Sequence, residues 1–183
     1  LLLAGKNADA APYLERAVEL GSDNATVWMN AGTVAYAAKD SALAMERFTR
    51  AIELDDSLAM AHMKLAVARS QLKEYDKATA HIEKAIALEP ENALYTHISA
   101  EFLRDTKKYP QAALAYARVT QLEPENVAAW ADLGMVQRNA GMLAPARVSL
   151  RRALELKPDT PQPYYHLGMI DAAEGKLDDA RAN

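Results

Sequence analysis

Apolar residues recur every three or four positions through most of this chain, and short polar links interrupt them at regular intervals. That spacing is the period of a helix with one buried face. It predicts first helices over 25–38, 59–72, 93–106, 127–140 and 161–174. Second helices are predicted over about 8–20, then 41–54, 75–88, 109–122 and 143–156, with another from 177 onward. Links such as Lys73-Glu74 and Gly141-Met142 separate the two members of a pair. Most prolines agree with these bounds. Pro90, Pro124 and Pro158 follow a helix end, while Pro110, Pro145, Pro161 and Pro163 sit in or near a first turn. There a missing N–H removes no helical bond. Pro12 is the exception, and it is expected to delay the start of the first helix to about Asp9 or later.

The pattern itself repeats. Leu20, Leu54, Leu88, Leu122 and Leu156 are spaced by 34 residues, and so are Ala10, Ala44, Ala78, Ala112, Ala146 and Ala180. A second small column holds Gly32, Ala66, Ala100, Gly134 and Gly168, and a bulky one holds Leu14, Phe48, Ile82, Tyr116 and Leu150. A fixed period of this length marks a repeat architecture. The layout is a partial repeat 1–24, full repeats 25–58, 59–92, 93–126 and 127–160, and a partial repeat 161–183. It reads as a single elongated domain over 1–183. The small columns have a mechanical purpose. Two antiparallel helices on a short link cross closely only where side chains lack bulk, and a larger neighbour fills the flanking gap. A pair cannot bury its apolar face alone, so pairs stack into one continuous core.

Composition narrows the picture further. Alanine makes up about a fifth of the chain, a bias toward helix. There is no cysteine, which excludes disulfides, thiolate metal sites and cysteine nucleophiles. A net charge of −4 favours neither nucleic acid nor an anionic membrane. No stretch approaches the ~18 apolar residues of a membrane span. The opening Leu1-Leu2-Leu3-Ala4 resembles the tail of a signal peptide, but its apolar run is too short and no basic segment precedes it. The chain ends within an expected helix and is read as a piece of a longer protein. The compartment, cytoplasm or periplasm, is left open.

The columns resemble the tetratricopeptide repeat family, whose 34-residue pattern runs W-x2-L-G-x2-Y, then A-x3-F, then P. Trp130, Leu133, Gly134, Ala146, Ala153 and Pro158 match it, as do Tyr164, Leu167, Gly168 and Ala180. Trp28, Gly32, Ala44, Phe48 and Ala51 match with Ala31 and Asp56 as departures. His62 stands in the tryptophan column of 59–92, and Thr96, Ser99 and Val119 weaken 93–126. The resemblance covers the whole chain. It implies an all-α, right-handed α-solenoid of tandem helix-turn-helix repeats. Its concave inner face would be lined mainly by the first helix of each pair and would bind a peptide or protein segment.

On that register the inward residues can be assigned. They are Met29, Asn30 and Thr33 in the first full repeat, and Met60, Met63, Lys64 and Val67 in the second. Leu94, His97, Ile98 and Glu101 follow, then Asp132 and Met135, then Tyr165, His166 and Met169. Five of the seven methionines lie on this face, where they are expected to meet water. Methionine suits adaptable binding surfaces, so the expectation is a Met-rich groove for a hydrophobic peptide or amphipathic helix. Partial packing of these residues on neighbouring repeats is the competing reading. The family's terminal-carboxylate clamp has only Lys64 as a basic counterpart here, and its asparagine ladder has only Asn30.

Catalytic and ligand motifs do not emerge. The four histidines, His62, His81, His97 and His166, include no i, i+4 pair, and no HExxH, GxGxxG, P-loop or GxSxG occurs. The carboxylate pairs Asp55-Asp56 and Asp178-Asp179 lie at helix ends, and Arg147, Arg151 and Arg152 read as a solvated outer face. The reading is a non-catalytic interaction scaffold, without cofactor or metal and with a protein partner. Two alternatives stand beside it: end-to-end self-association through exposed ends such as Leu3 and Leu177, or the regulatory arm of an enzyme.

Overall fold

The computed structural model describes residues 7–175, with side chains from residue 10. The expected helix from 177 and the ends carrying Leu3 and Leu177 lie outside these residues. The described residues form ten α-helices and no strand, an all-α helical repeat solenoid. They are α1 (Asn7–Glu19), α2 (Ala25–Ala37), α3 (Ser41–Leu54), α4 (Ala59–Gln71) and α5 (Tyr75–Leu88). Then follow α6 (Ala93–Asp105), α7 (Tyr109–Leu122), α8 (Val127–Asn139), α9 (Leu143–Leu156) and α10 (Pro161–Ala173).

Start signals explain several of these bounds. Asn24, Asn92 and Asn126 share one repeat column, and each accepts a backbone N–H in the first turn that follows, from Thr26, Leu94 and Ala129. Pro12 does not delay α1, which already begins at Asn7. Pro12 is instead the sixth residue of α1, past the first turn, where it removes one backbone bond while the helix runs on to Glu19.

Each first helix ends one residue earlier than its apolar pattern. The cause is a left-handed residue directly after the cap: Lys39, Lys73 and Lys107 at φ 65°, 60° and 59°, and Gly141 and Gly175 in the same column at φ 77° and 76°. The chain then reaches back. Asp40 N–H donates to the Ala35 carbonyl at 3.0 Å, Glu74 to Arg69 at 3.1 Å and Met142 to Gln137 at 2.8 Å. This closes the last turn and reverses the chain into the second helix.

The chain divides into two compact units, residues 1–90 and 91–183. In the first, α1 packs on α2, α2 on α3, α3 on α4 and α4 on α5. Its core includes Ala35, Ala44, Phe48, Leu65 and Ala68. At Gly32 a Cβ would lie 2.7 Å from the Phe48 ring, so the closest approach of α2 and α3 depends on glycine there. The buried Arg47 ties α3 to α1 and α2, donating to the Glu15 carboxylate at 2.6 Å and to the Ala31 carbonyl at 3.2 Å. In the second unit α6 packs on α7, α7 on α8, α8 on α9, and α10 on both α9 and α8. Ala112, Tyr116, Leu133 and Val136 form one cluster, and Ala146, Leu150, Leu167 and Ile170 the next.

Candidate functional site

In the first unit, α2 and α4 carry seven of the candidate residues. Met60 is exposed, and Met29, Asn30, Thr33, Met63, Lys64 and Val67 are half-buried. Their spacing on two neighbouring first helices gives one apolar face with a polar opening. Within it lies a cavity of about 110 Å³ lined by Thr33, Tyr36, Phe48, Lys64 and Val67. Thr33 Oγ1 is engaged with the Met29 carbonyl at 2.9 Å. The Tyr36 hydroxyl accepts from Gln71 Nε2, and burial pushes its pKa up. Burial also pulls the Lys64 ammonium below the usual lysine range. Tyr36 escaped the sequence reading, while Phe48 is a core residue as expected and also forms one wall of the cavity. The helical spacing of Tyr36 from Thr33 was the one available signal.

In the second unit the first helices present Leu94, Tyr165 and Met169 as exposed side chains, with Met135, His97, Glu101 and Asp132 half-buried. Ile98 and His166 depart from the expectation of a water-facing position: both are buried. The outward stripe is narrower than the set read from the sequence. α10 packs on α8 as well as α9, which covers its flank, and an apolar Ile98 gains by leaving water. His97 stands edge-on to the Tyr116 ring at 5.4 Å. Arg104 lies 3.6 Å from Glu101 and donates to the Tyr116 hydroxyl at 3.3 Å. Burial holds the Asp132 carboxyl above the usual carboxylate range, partly offset by His97 and Arg104.

His62 takes over the role of the column it occupies. Trp28 Nε1 donates to the Ser22 carbonyl at 2.7 Å, and Trp130 Nε1 to the Pro124 carbonyl at 2.9 Å. His62 Nε2 faces the Asp56 carbonyl at 3.2 Å, again six residues back, so that nitrogen carries a hydrogen. Its Nδ1 lies 3.3 Å from His81 Nδ1, and only one of the two can donate. Asp56 accepts from Lys84 at 2.5 Å and lies 3.3 Å from His62 Nε2. Burial, His62 and Arg69 push the His81 pKa down. Keeping His81 neutral therefore contributes stability that is fully present above the ordinary histidine pKa of about 6.5 and lost as pH falls below it. The thermal midpoint of the wild type is expected to drop more between pH 7.5 and pH 5.5 than that of His81→Ala. Equal drops would place the effect elsewhere.

Arg147 is not the solvated residue expected. It contacts the buried Asp171 and bonds Glu174 at 2.9 Å, tying α9 to α10. Arg152 pairs with Glu155 at 3.0 Å on the surface. Among the described residues, no three His, Asp or Glu side chains are grouped to hold a metal ion. No described helix is long and apolar enough to cross a membrane.

Comparison with known proteins agrees with this architecture. The chain is similar in structure to YrrB, a TPR protein with an unusual peptide-binding site. TM-score is 0.80 at 22% identity, over 91% of this chain and 86% of YrrB. It is similar to MamA from Desulfovibrio magneticus RS-1, with TM-score 0.81 at 17% identity over 88% of this chain and 91% of that one. Pseudomonas aeruginosa PilF gives TM-score 0.71 at 24% identity over 86% of this chain and 72% of that one. At these identities the likeness is one of fold. Among curated proteins none matches in sequence. Tetratricopeptide repeat profiles match residues 1–59, 59–92 and 103–167. With the helix pairs and small crossing columns described above, these matches make the chain a member of the tetratricopeptide repeat family.

Proposed function

We propose that this chain is a non-catalytic protein-interaction scaffold that holds a peptide or helix of a partner protein against the Met-rich faces of its first helices. The carrying observation is the exposure of large apolar side chains there: Met60 at 41%, Leu94 at 51%, Tyr165 at 61% and Met169 at 45%. Exposed apolar side chains on a first helix, such as Tyr165 and Met169 one turn apart on α10, suit the i, i+3, i+4 anchors that segment recognition uses. The peptide-binding site of the structurally similar YrrB supports the same kind of use.

The test compares proteins captured from native extract by the wild type, by Met60→Glu with Met63→Glu, and by Val148→Glu. Val148 is 68% exposed on α9, a second helix, and serves as the control. The paired charges are expected to abolish capture of a partner that the wild type and the control retain. Because Met60 is exposed and Met63 half-buried, the unfolding free energy should change by about 1 kcal/mol or less. A partner retained by all three proteins would remove the α4 face from the interface. A large loss of stability in the paired variant would show that these methionines pack rather than bind.

A further inference from the structure

We propose that Lys64 and the cavity beside it receive a glutamate side chain of the partner segment, an inference that rests on the interaction role above. Lys64 projects from α4, and among the described residues no hydrogen bond or ion pair reaches its ammonium. Its neighbours in the cavity are two hydroxyls, Thr33 and Tyr36, and two apolar side chains, Phe48 and Val67. The hydroxyls are engaged with Met29 and Gln71 and do not neutralise a cation. Burial already disfavours the charged amine, so a carboxylate arriving there meets a partly desolvated, unpaired counter-charge.

The size of the cavity selects the ligand. About 110 Å³ is far below the roughly 300–1,000 Å³ of a small-molecule or cofactor site, so it takes one side chain rather than a metabolite. A phosphate group calls for several donors, and one ammonium does not supply them. A chain-terminal carboxylate brings a peptide N–H and carbonyl beside it, which Phe48 and Val67 would leave unpaired. Glutamate brings two methylenes instead, which pack on Phe48 and Val67 while its carboxylate meets Lys64. Met60 and Met63 on the same helix then offer apolar contact to the residue next to the glutamate.

The test uses three capped dipeptides titrated into the isotopically labelled chain and followed by NMR. They are N-acetyl leucyl-glutamate amide, N-acetyl leucyl-glutamine amide, and N-acetyl leucyl-glutamine with a free terminal carboxylate. The first is expected to shift the Thr33 and Val67 amides saturably and to raise the Lys64 pKa. The other two are expected to bind about tenfold more weakly, the effect of one charge-assisted hydrogen bond. Lys64→Met and Lys64→Gln, each checked for a native spectrum, are expected to erase the difference. Equal binding of the glutamate and glutamine amides overturns the proposal, as does no saturable shift or preference for the free terminal acid. The scaffold reading does not depend on this outcome, because the Met60 and Met63 substitutions test it without altering Lys64.

Discussion

Arg147→Met is expected to lower the unfolding free energy by about 3 kcal/mol, the cost of breaking a buried ion pair by removing one partner. Arg147 on α9 contacts Asp171, whose side chain is 3% exposed, and reaches Glu174 at the end of α10. These contacts sit beside the Leu150, Leu167 and Ile170 cluster, where α10 packs on α9 and α8. Met keeps most of the stem's volume and its apolar packing, so the variant isolates the charge. In a repeat array each helix is held mainly by its neighbours, so the loss falls first on α10. Hydrogen exchange should show α10 amides opening before those of α8. Combining Arg147→Met with Asp171→Leu is expected to restore most of the loss, because an apolar pair needs no counter-charge. Chemical denaturation of the two single variants and the double variant measures the coupling. A single-variant cost below about 1 kcal/mol would show that the pair is solvated in solution.

Gly134→Val is expected to cost about 3 kcal/mol, through a clash that the helix cannot relieve. A Cβ at Gly134 would lie 2.5 Å from Leu150 Cγ and 2.7 Å from Leu150 Cδ2, with the Ala146 carbonyl oxygen at 3.2 Å. The leucine could turn aside only into a packed cluster, and the carbonyl belongs to the α9 backbone. A glycine in a helix interior normally costs about 1 kcal/mol against alanine, so propensity pulls the other way. The clash is the larger effect. Leu150→Ala in the Gly134→Val background should recover part of the loss by opening the space above the new side chain. A neutral Gly134→Val, read by denaturant midpoint, would mean that α8 and α9 separate more easily than their crossing implies.

Much of the fold was legible because it is local and repeated. The apolar spacing around Leu133, Val136, Leu150 and Ala153 marks two helices, and the alanine column through Ala44, Ala78, Ala112 and Ala146 marks where they cross. Asn24, Asn92 and Asn126 share a column as well, but their capping role emerged only from the structure. Other features follow no local rule. Lysine has no preference for the left-handed region, yet Lys39, Lys73 and Lys107 occupy it because the following residue must bond back into the helix. His62 was legible as a departure from tryptophan, but its partner His81 lies on another helix, 19 residues away.

The candidate site divides along the same line. The sequence alone determined that the chain is a helical repeat, where the described helices after the first begin, and that methionines gather on the first helices. These depend on spacing within one repeat, which the chain carries in its own order. Only the tertiary structure decided which of those residues meet water. It buried Ile98 and His166, left Met60 and Leu94 open, moved Arg147 from the surface into an ion pair, and set Lys64 beside a cavity. Exposure and charge pairing depend on how neighbouring helices cover one another. That is a matter of distances between residues far apart in the chain, and spacing along the chain does not encode it.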